Sequence, residues 1–296
     1  MFDTSKVTNI TYLFYNSKIN SLILDGWDFS SISSNTNWLT NQSSKNVSLK
    51  NVKAKGAFTC PYASESIDLS GIDTTACTSF KLNSCDAPTI NLSSVNTSNF
   101  TSMESMFSGC SNITSLNISH FDYSKVTTMS NMFYGCSKLE SITMGGSNKV
   151  TNMSNMFYGC NHLTKIDLTN LQLDLVTNMD YMFYGCTSLK EVKMGGNPAK
   201  ITNSTYVEYM FNGITTEGVL YYNTEYDYSK IIAKLPSTWK ALPLINISNC
   251  TSLTIEADDV NWSNTSTTIR YTAVVNGTNP ASGATMTDIT LTGEEW

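Results

Sequence analysis

The string Met-Phe-Tyr-Gly-Cys occurs three times, at residues 132–136, 156–160 and 182–186. With Phe107, Phe133, Phe157, Phe183 and Phe211 it marks a period of 24 to 28 residues. A unit of that size cannot bury its apolar face alone, so successive units must stack on one another as the coils of a solenoid. Length then sets the number of coils rather than the number of globular domains.

The spacing within a unit predicts its elements. After Cys136, Leu139, Ile142 and Met144 follow an L-x-x-I-x-L pattern, which puts Ile142 and Met144 on one side of a short strand. Beyond Gly145 and Gly146, the residues Val150, Met153, Met156 and Phe157 are spaced i, i+3, i+6 and i+7, the inward face of a short helix. Gly159 stands where a helix C-terminus takes a residue at positive φ. Each unit is therefore expected to run strand, loop, short helix, glycine turn. This is an α/β repeat with short parallel strands plus short helices, wound as a right-handed leucine-rich-repeat solenoid.

Other copies extend the array. Val126, Met129, Met132 and Phe133 repeat the helical face, and Leu163, Ile166, Leu168 and then Leu189, Val192, Met194 repeat the strand. Upstream, Ile90/Leu92, Ile67/Leu69, Val47/Leu49 and Leu22/Leu24 read as strand pairs, with Phe80, Phe58, Leu39 and Phe14 in the phenylalanine place. Nine units at about 4.8 Å each give a ladder of about 40 Å. The unit around Phe58 is short, so its helix is expected to shrink to a turn.

The ends differ. Residues 2–7 align with 121–126, a segment that elsewhere follows a strand, so a preceding strand, and any export signal, is expected upstream. The last copy, Val207, Met210 and Phe211, leads into an apolar segment ending at Pro236 and Trp239. That segment reads as a cap closing a solenoid that spans 1–242. From 243 to 296 the period becomes two: Leu253 and Ile255; Ile269, Tyr271, Ala273 and Val275; Ile289 and Leu291, with Asn276 and Gly277 in a connection. That pattern predicts a small or truncated immunoglobulin-like module, a small β-sandwich-like segment.

Composition narrows the function classes. Charged residues make up 14% of the chain and the net charge is −6, with no cluster of Lys and Arg such as phosphate binding needs, which argues against nucleic acid. No apolar run is long enough for a membrane span. Cys60, Cys85, Cys110, Cys136, Cys160 and Cys186 recur with the repeat, as small buried hydrophobes would. Bridges between neighbouring coils are the alternative, although parallel Cβ directions make their geometry poor. Without a C-x-x-C pair, zinc is disfavoured. His120 and His162 fall at different places in the repeat, and Asp122 with Ser124 fits a helix N-cap better than an acid/base pair. No catalytic residue, cofactor or metal is expected.

Two surfaces are candidates for binding. The outward strand positions Ile23, Ser48, Asp68, Asn91, Asn117, Thr143, Asp167 and Lys193 would form a row along a concave face, flanked by Asp25, Lys50, Ser70, Ser93, Ser119 and Thr169. Solenoids commonly bind through such faces. The alternative is the aromatic edge of Tyr15, Tyr134, Tyr158 and Tyr184, which serves either packing across the glycine turn or recognition.

The run LTKIDLTNLQLDLVTNMDYMFYGCTSLKEVKM, with its VTNM and MFYGC elements, resembles the BspA-like leucine-rich-repeat surface proteins of bacteria. The likeness covers most of residues 2–239. It implies an extracellular, bacterial cell-surface module for adhesion or protein binding, with a host or matrix protein or a surface glycan as partner. A phage fibre or virion decoration protein using the same solenoid to contact a bacterial surface is the alternative. The tail from 243 resembles β modules appended to exported surface and fibre proteins.

Overall fold

The computed structural model describes residues 3–33, 38–82, 84–146 and 149–244 in full, and beyond them the backbone of three strands. Two compact units divide the chain, residues 1–244 and 245–296.

The first unit is a solenoid whose strands pair in parallel. Strands β1 (Lys18–Ile23), β2 (Ser43–Ser48), β3 (Lys53–Thr59), β4 (Ser66–Asp68) and β5 (Asp73–Lys81) form the N-terminal coils. Strands β6 (Ser115–Ile118), β7 (Ser141–Met144), β8 (Lys165–Leu168), β9 (Glu191–Met194), β10 (Gly218–Tyr222) and β11 (Trp239–Pro243) follow. The ladders are β1-β2-β4, β3-β5, β6-β7 and β8-β9-β10-β11. The expected strand residues face inward: Leu116, Ile118, Ile166, Leu168, Val192 and Met194 are buried.

The expected helices are absent from the described coils, which corrects the α/β assignment. Residues 153–160 form stacked turns instead. The N–H groups of Met156, Tyr158 and Cys160 donate to the carbonyls three residues back, those of Met153, Asn155 and Phe157. Those of Met153, Asn155, Phe157 and Gly159 leave the coil and donate to Asn178, Asp180, Met182 and Tyr184 of the next, at 2.8–2.9 Å. A helix would need those donors for its own i−4 carbonyls. It is also broken by positive φ at Asn155 (54°) and Gly159 (70°), the third residues of two turns closed by Met156 and Cys160. Val150, Met153, Met156 and Phe157 are all buried. The apolar spacing therefore reports burial correctly, because each turn returns the chain to the core after three residues, as a helical turn nearly does. Helical geometry among the described residues is confined to a 3-10 turn at Ser204–Val207 and one α-turn at Ser229–Ile232.

Two columns run along the core. The rings of Phe107, Phe133, Phe157, Phe183 and Phe211 stack at 5.3–5.7 Å, and Trp239, at the start of β11, continues them 5.7 Å from Phe211. The Trp239 indole N–H donates to the Thr216 carbonyl at 3.0 Å. Beside the rings lie the thiols. All seven described cysteines are free and buried. Cys136, Cys160 and Cys186 donate to the carbonyls of Phe107, Phe133 and Phe157 at 3.0–3.2 Å. Each Sγ–H thus reaches the carbonyl of the preceding coil's phenylalanine, which ties adjacent coils together without a bridge.

The N-terminal coils depart from this pattern. β3 and β5 are long strands, paired with two register shifts, where later coils have turns. Leu39 is buried in the phenylalanine place, but the aromatic contacts there come from Trp38, whose ring lies 6.2 Å from Phe14 and 6.3 Å from Phe58.

The second unit contains β12 (Cys250–Glu256), β13 (Ser266–Val275) and β14 (Thr287–Thr292). They make one antiparallel sheet in the order β12-β13-β14, with Ile255 opposite Tyr271 and Ile269 opposite Ile289. A sandwich requires a second sheet facing the first, and among the described residues there is one sheet only. The expected Asn276-Gly277 connection lies outside the described residues.

Candidate binding surfaces of the solenoid

The outward strand row exists. Parallel pairing places Ile23 beside Ser48 and Ser48 beside Asp68, Asn117 beside Thr143, and Asp167 beside Lys193 beside Tyr221. Asn91 is exposed on a coil without a strand.

Most of the row's carboxylates and amides already have work within the chain. An oxygen of Asp68 accepts from the N–H and hydroxyl of Ser70, one of Asn117 from those of Ser119, and one of Asp167 from those of Thr169, at 2.5–3.1 Å. Asn91 accepts from the Ser93 N–H. These are Asx turns, in which a short acceptor side chain ends the strand by bonding the backbone two residues on. The two rows read from the sequence are thus partners of each other. The Asp68 carboxyl is held below the usual range, first by the Ser70 hydroxyl, then by its N–H, and more weakly by Lys50 at 3.2 Å. Lys193 lies 3.4 Å from Glu191 and 5.8 Å from the centre of the Tyr221 ring. Thr143 is exposed.

The tyrosine edge is different in kind. Because the Gly135 N–H donates to the Tyr158 carbonyl and the Gly159 N–H to the Tyr184 carbonyl, the tyrosines sit on successive rungs. Their rings stack at 4.7 Å (Tyr134 and Tyr158) and 4.8 Å (Tyr158 and Tyr184), within 14° of parallel. Tyr181 and Tyr209 form a second stack at 4.8 Å, joined to the first by Tyr181 at 5.6 Å from Tyr184. Tyr15 does not join this ladder; it meets Tyr12 edge-on at 5.3 Å. Partial burial raises the Tyr158 phenol first, and the flanking Tyr134 and Tyr184 add to it.

Sequence reasoning passed over Tyr181 and Tyr209. The signal was there in the substitution of Tyr181 for the asparagine that precedes Met-Phe-Tyr at Asn131 and Asn155. All three adopt left-handed backbone, with φ of 54–57°. Asparagine tolerates that region, whereas a bulky residue there is a genuine outlier. Asp180 supports the site by accepting the N–H groups of Tyr181 at 3.0 Å and Tyr209 at 2.9 Å.

The histidines engage backbone. His162 Nδ1 lies 2.7 Å from the Ser137 carbonyl and His120 Nε2 3.4 Å from that of Leu92. Asp122 accepts from the Ser124 N–H, so it caps a turn and not a helix. A cavity of about 260 Å³ with a mixed polar and apolar lining opens among the N-terminal coils, bounded by Ile10, Phe29, Ser33, Trp38, Lys55 and Phe58. The Lys55 amine donates to the Ser30 carbonyl at 2.8 Å. No helix among the described residues is long and apolar enough to cross a membrane.

Stacked coils, turn-edged arcs and continuous phenylalanine and cysteine columns define a parallel β-solenoid of the repeat class. The chain belongs to the family described as "Mycoplasma protein of unknown function, DUF285", whose model matches residues 1–54, 63–144 and 101–219. No curated protein and no solved structure matches it.

Proposed function

We propose that this chain is a non-enzymatic binding module of the BspA-like kind, acting in adhesion outside the bacterial cell, and that its contact surface is the tyrosine edge. The observation that carries this reading is the ladder of partly exposed tyrosines, a run of amphipathic rings with hydroxyl tips on one rigid edge. Tyrosine contributes contact area at low entropic cost because it has few rotatable bonds. Rings fixed by ladder hydrogen bonds are already ordered before a ligand arrives, which removes part of the cost of binding. The outward strand row, by contrast, spends most of its acceptors on its own turns, so it offers a ligand fewer free groups. Host or matrix proteins and surface glycans are the partner classes in view.

The repeat supplies its own control substitutions. Ser108 and Asn212 occupy the rungs of Tyr134 and Tyr184 in neighbouring coils, and Asn131 and Asn155 occupy that of Tyr181. Tyr134→Ser with Tyr181→Asn and Tyr184→Asn therefore removes the rings using residues the same backbone already carries. On an array of glycans and extracellular-matrix proteins, the native chain is expected to give hits that the triple variant loses. A Thr143→Arg, Lys193→Glu variant of the strand row is expected to keep them. Hits that survive the triple variant, or vanish with the strand-row variant alone, contradict the assignment of the face.

A further inference from the structure

We infer that the tyrosine edge takes a positively charged protein segment, with arginine side chains seated on its two open ring faces. This rests on the reading that the edge is the contact surface, and goes further by naming what it contacts.

Stacking at 4.7–4.8 Å closes the inner faces of the ladder. What remains of the inner tyrosines is edge and hydroxyl. The two stacks have four terminal rings; Tyr184 and Tyr181 meet each other at 5.6 Å and are half-buried, so the exposed ends of the joined ladder are Tyr134 and Tyr209. One end is Tyr134: the Gly109 N–H donates to its carbonyl, so the rung before it belongs to Ser108, which has no ring. The other is Tyr209, which is covered by Tyr181 on one side and by no further ring among the described residues. These two rings are 40% and 38% exposed, respectively. The face of an aromatic ring carries the negative part of its quadrupole and attracts a cation; the planar guanidinium also stacks on it.

The charges within the turn segments of the edge have the same sign, with Lys125, Lys138, Lys149 and Lys200 lying outside them. The turn segments 101–109, 127–135, 151–159, 177–185 and 202–213 that build it contain Glu104, Asp180 and Glu208 and not one lysine or arginine. None of these three carboxylates is in an ion pair among the described residues. Asp180 and Glu208 lie close enough to push the Tyr181 phenol upward, after the larger contribution of partial burial. A neutral glycan could donate hydroxyl hydrogens to these carboxylates but would gain no net-charge attraction, and an acidic partner would be repelled. A basic segment gains twice, from the ring faces and from carboxylates that no cation pairs among the described residues, although Asp180 also accepts two backbone N–H groups. The Tyr181 ring backs Tyr209 and couples the two stacks; its left-handed backbone is the conformation of that place in the repeat, shared with Tyr12, Ser105, Asn131 and Asn155.

The test is direct binding of the full chain to three labelled peptides: oligo-arginine, oligo-lysine of equal charge, and a neutral serine-glycine peptide. Oligo-arginine is expected to bind about five- to tenfold more tightly than oligo-lysine, because two cation–π seats favour the guanidinium. The neutral peptide is expected not to bind. Tyr134→Ser and Tyr209→Ser should each erase a large part of the arginine preference while the chain stays folded, the loss of one ring stack lowering the melting temperature only slightly. Glu208→Gln should weaken binding about threefold, while Glu140→Gln, an equal charge change away from the edge, should not. Equal affinity for arginine and lysine, or equal effects of the two glutamate substitutions, would mean that net charge alone attracts the peptide, and the inference fails. If a glycan or neutral protein binds and is lost in the triple tyrosine variant while oligo-arginine does not bind, the partner class is wrong but the edge stands. If every ligand survives that variant, the edge itself is wrong.

Discussion

Phe157→Ala is expected to lower the unfolding free energy by about 4–5 kcal/mol, at the upper end of the range for deleting a buried aromatic. Phe157 is fully buried and has a stacked ring on each side, Phe133 at 5.3 Å and Phe183 at 5.7 Å. Its removal takes away the transfer free energy, two ring pairs worth about 0.5–1.5 kcal/mol each, and leaves a cavity that ladder-bonded coils cannot collapse to fill. In a one-dimensional array stability is the sum of coil and neighbour terms, so a mid-column gap weakens two interfaces at once. Phe14, partly buried at the N-terminal side, should cost less than half as much. Urea denaturation of both variants reads the difference; equal costs would contradict the nearest-neighbour picture.

The second large effect is alkaline instability. Burial pushes the Cys85 thiol from 9.0 up to about 11, and those of Cys77, Cys136 and Cys186 up to about 12. Cys60, Cys110 and Cys160 are raised further, and the Tyr123 and Tyr228 phenols are raised too, again chiefly by burial. The folded state holds these groups protonated where the unfolded chain releases the protons. Their contribution is therefore complete below about pH 9 and is lost as pH rises towards the folded values. Each group above its unfolded pKa costs up to about 1.4 kcal/mol per pH unit, and the thiols act together. The denaturation midpoint should be flat from pH 6 to 8 and should collapse between pH 9 and 11. A midpoint unchanged at pH 11 would mean that the thiols are not sequestered.

Much of the solenoid could be read from the repeat. Phe107 to Phe211 gave the rung spacing, the strand pairs gave the inward residues, and the periodic cysteines read as packing are buried free thiols. What could not be read was the arc. The i, i+3, i+6, i+7 spacing at Val150, Met153, Met156 and Phe157 fits a helix and a chain of three-residue turns equally. The deciding information, that Asn155 and Gly159 are left-handed and that alternate N–H groups leave the coil, is a property of neighbouring coils. The sequence held a partial clue: residues tolerant of positive φ recur four apart, Asn131 and Gly135, then Asn155 and Gly159, which a continuous helix does not accommodate. Parallel pairing sets most of the strand row side by side, with Asn91 on a coil that has no strand, and its D-x-S/T and N-x-S spacing, as in Asp68/Ser70 and Asn117/Ser119, was the signature of Asx turns. Tyr181 escaped notice because the repeat was followed through the residues that recur and not through the one that departs.

The arcs carry the whole account, since helical arcs would separate the tyrosines by the 8–10 Å of packed helices and no ring ladder would form. A long-range HNCO experiment on the deuterated protein detects scalar coupling across individual hydrogen bonds and reads this directly. The predicted correlations run from the Gly135 amide to the Tyr158 carbonyl and from the Gly159 amide to the Tyr184 carbonyl. Correlation of the Gly159 amide with the Asn155 carbonyl, four residues back in its own coil, would restore the helix and remove the tyrosine edge with it.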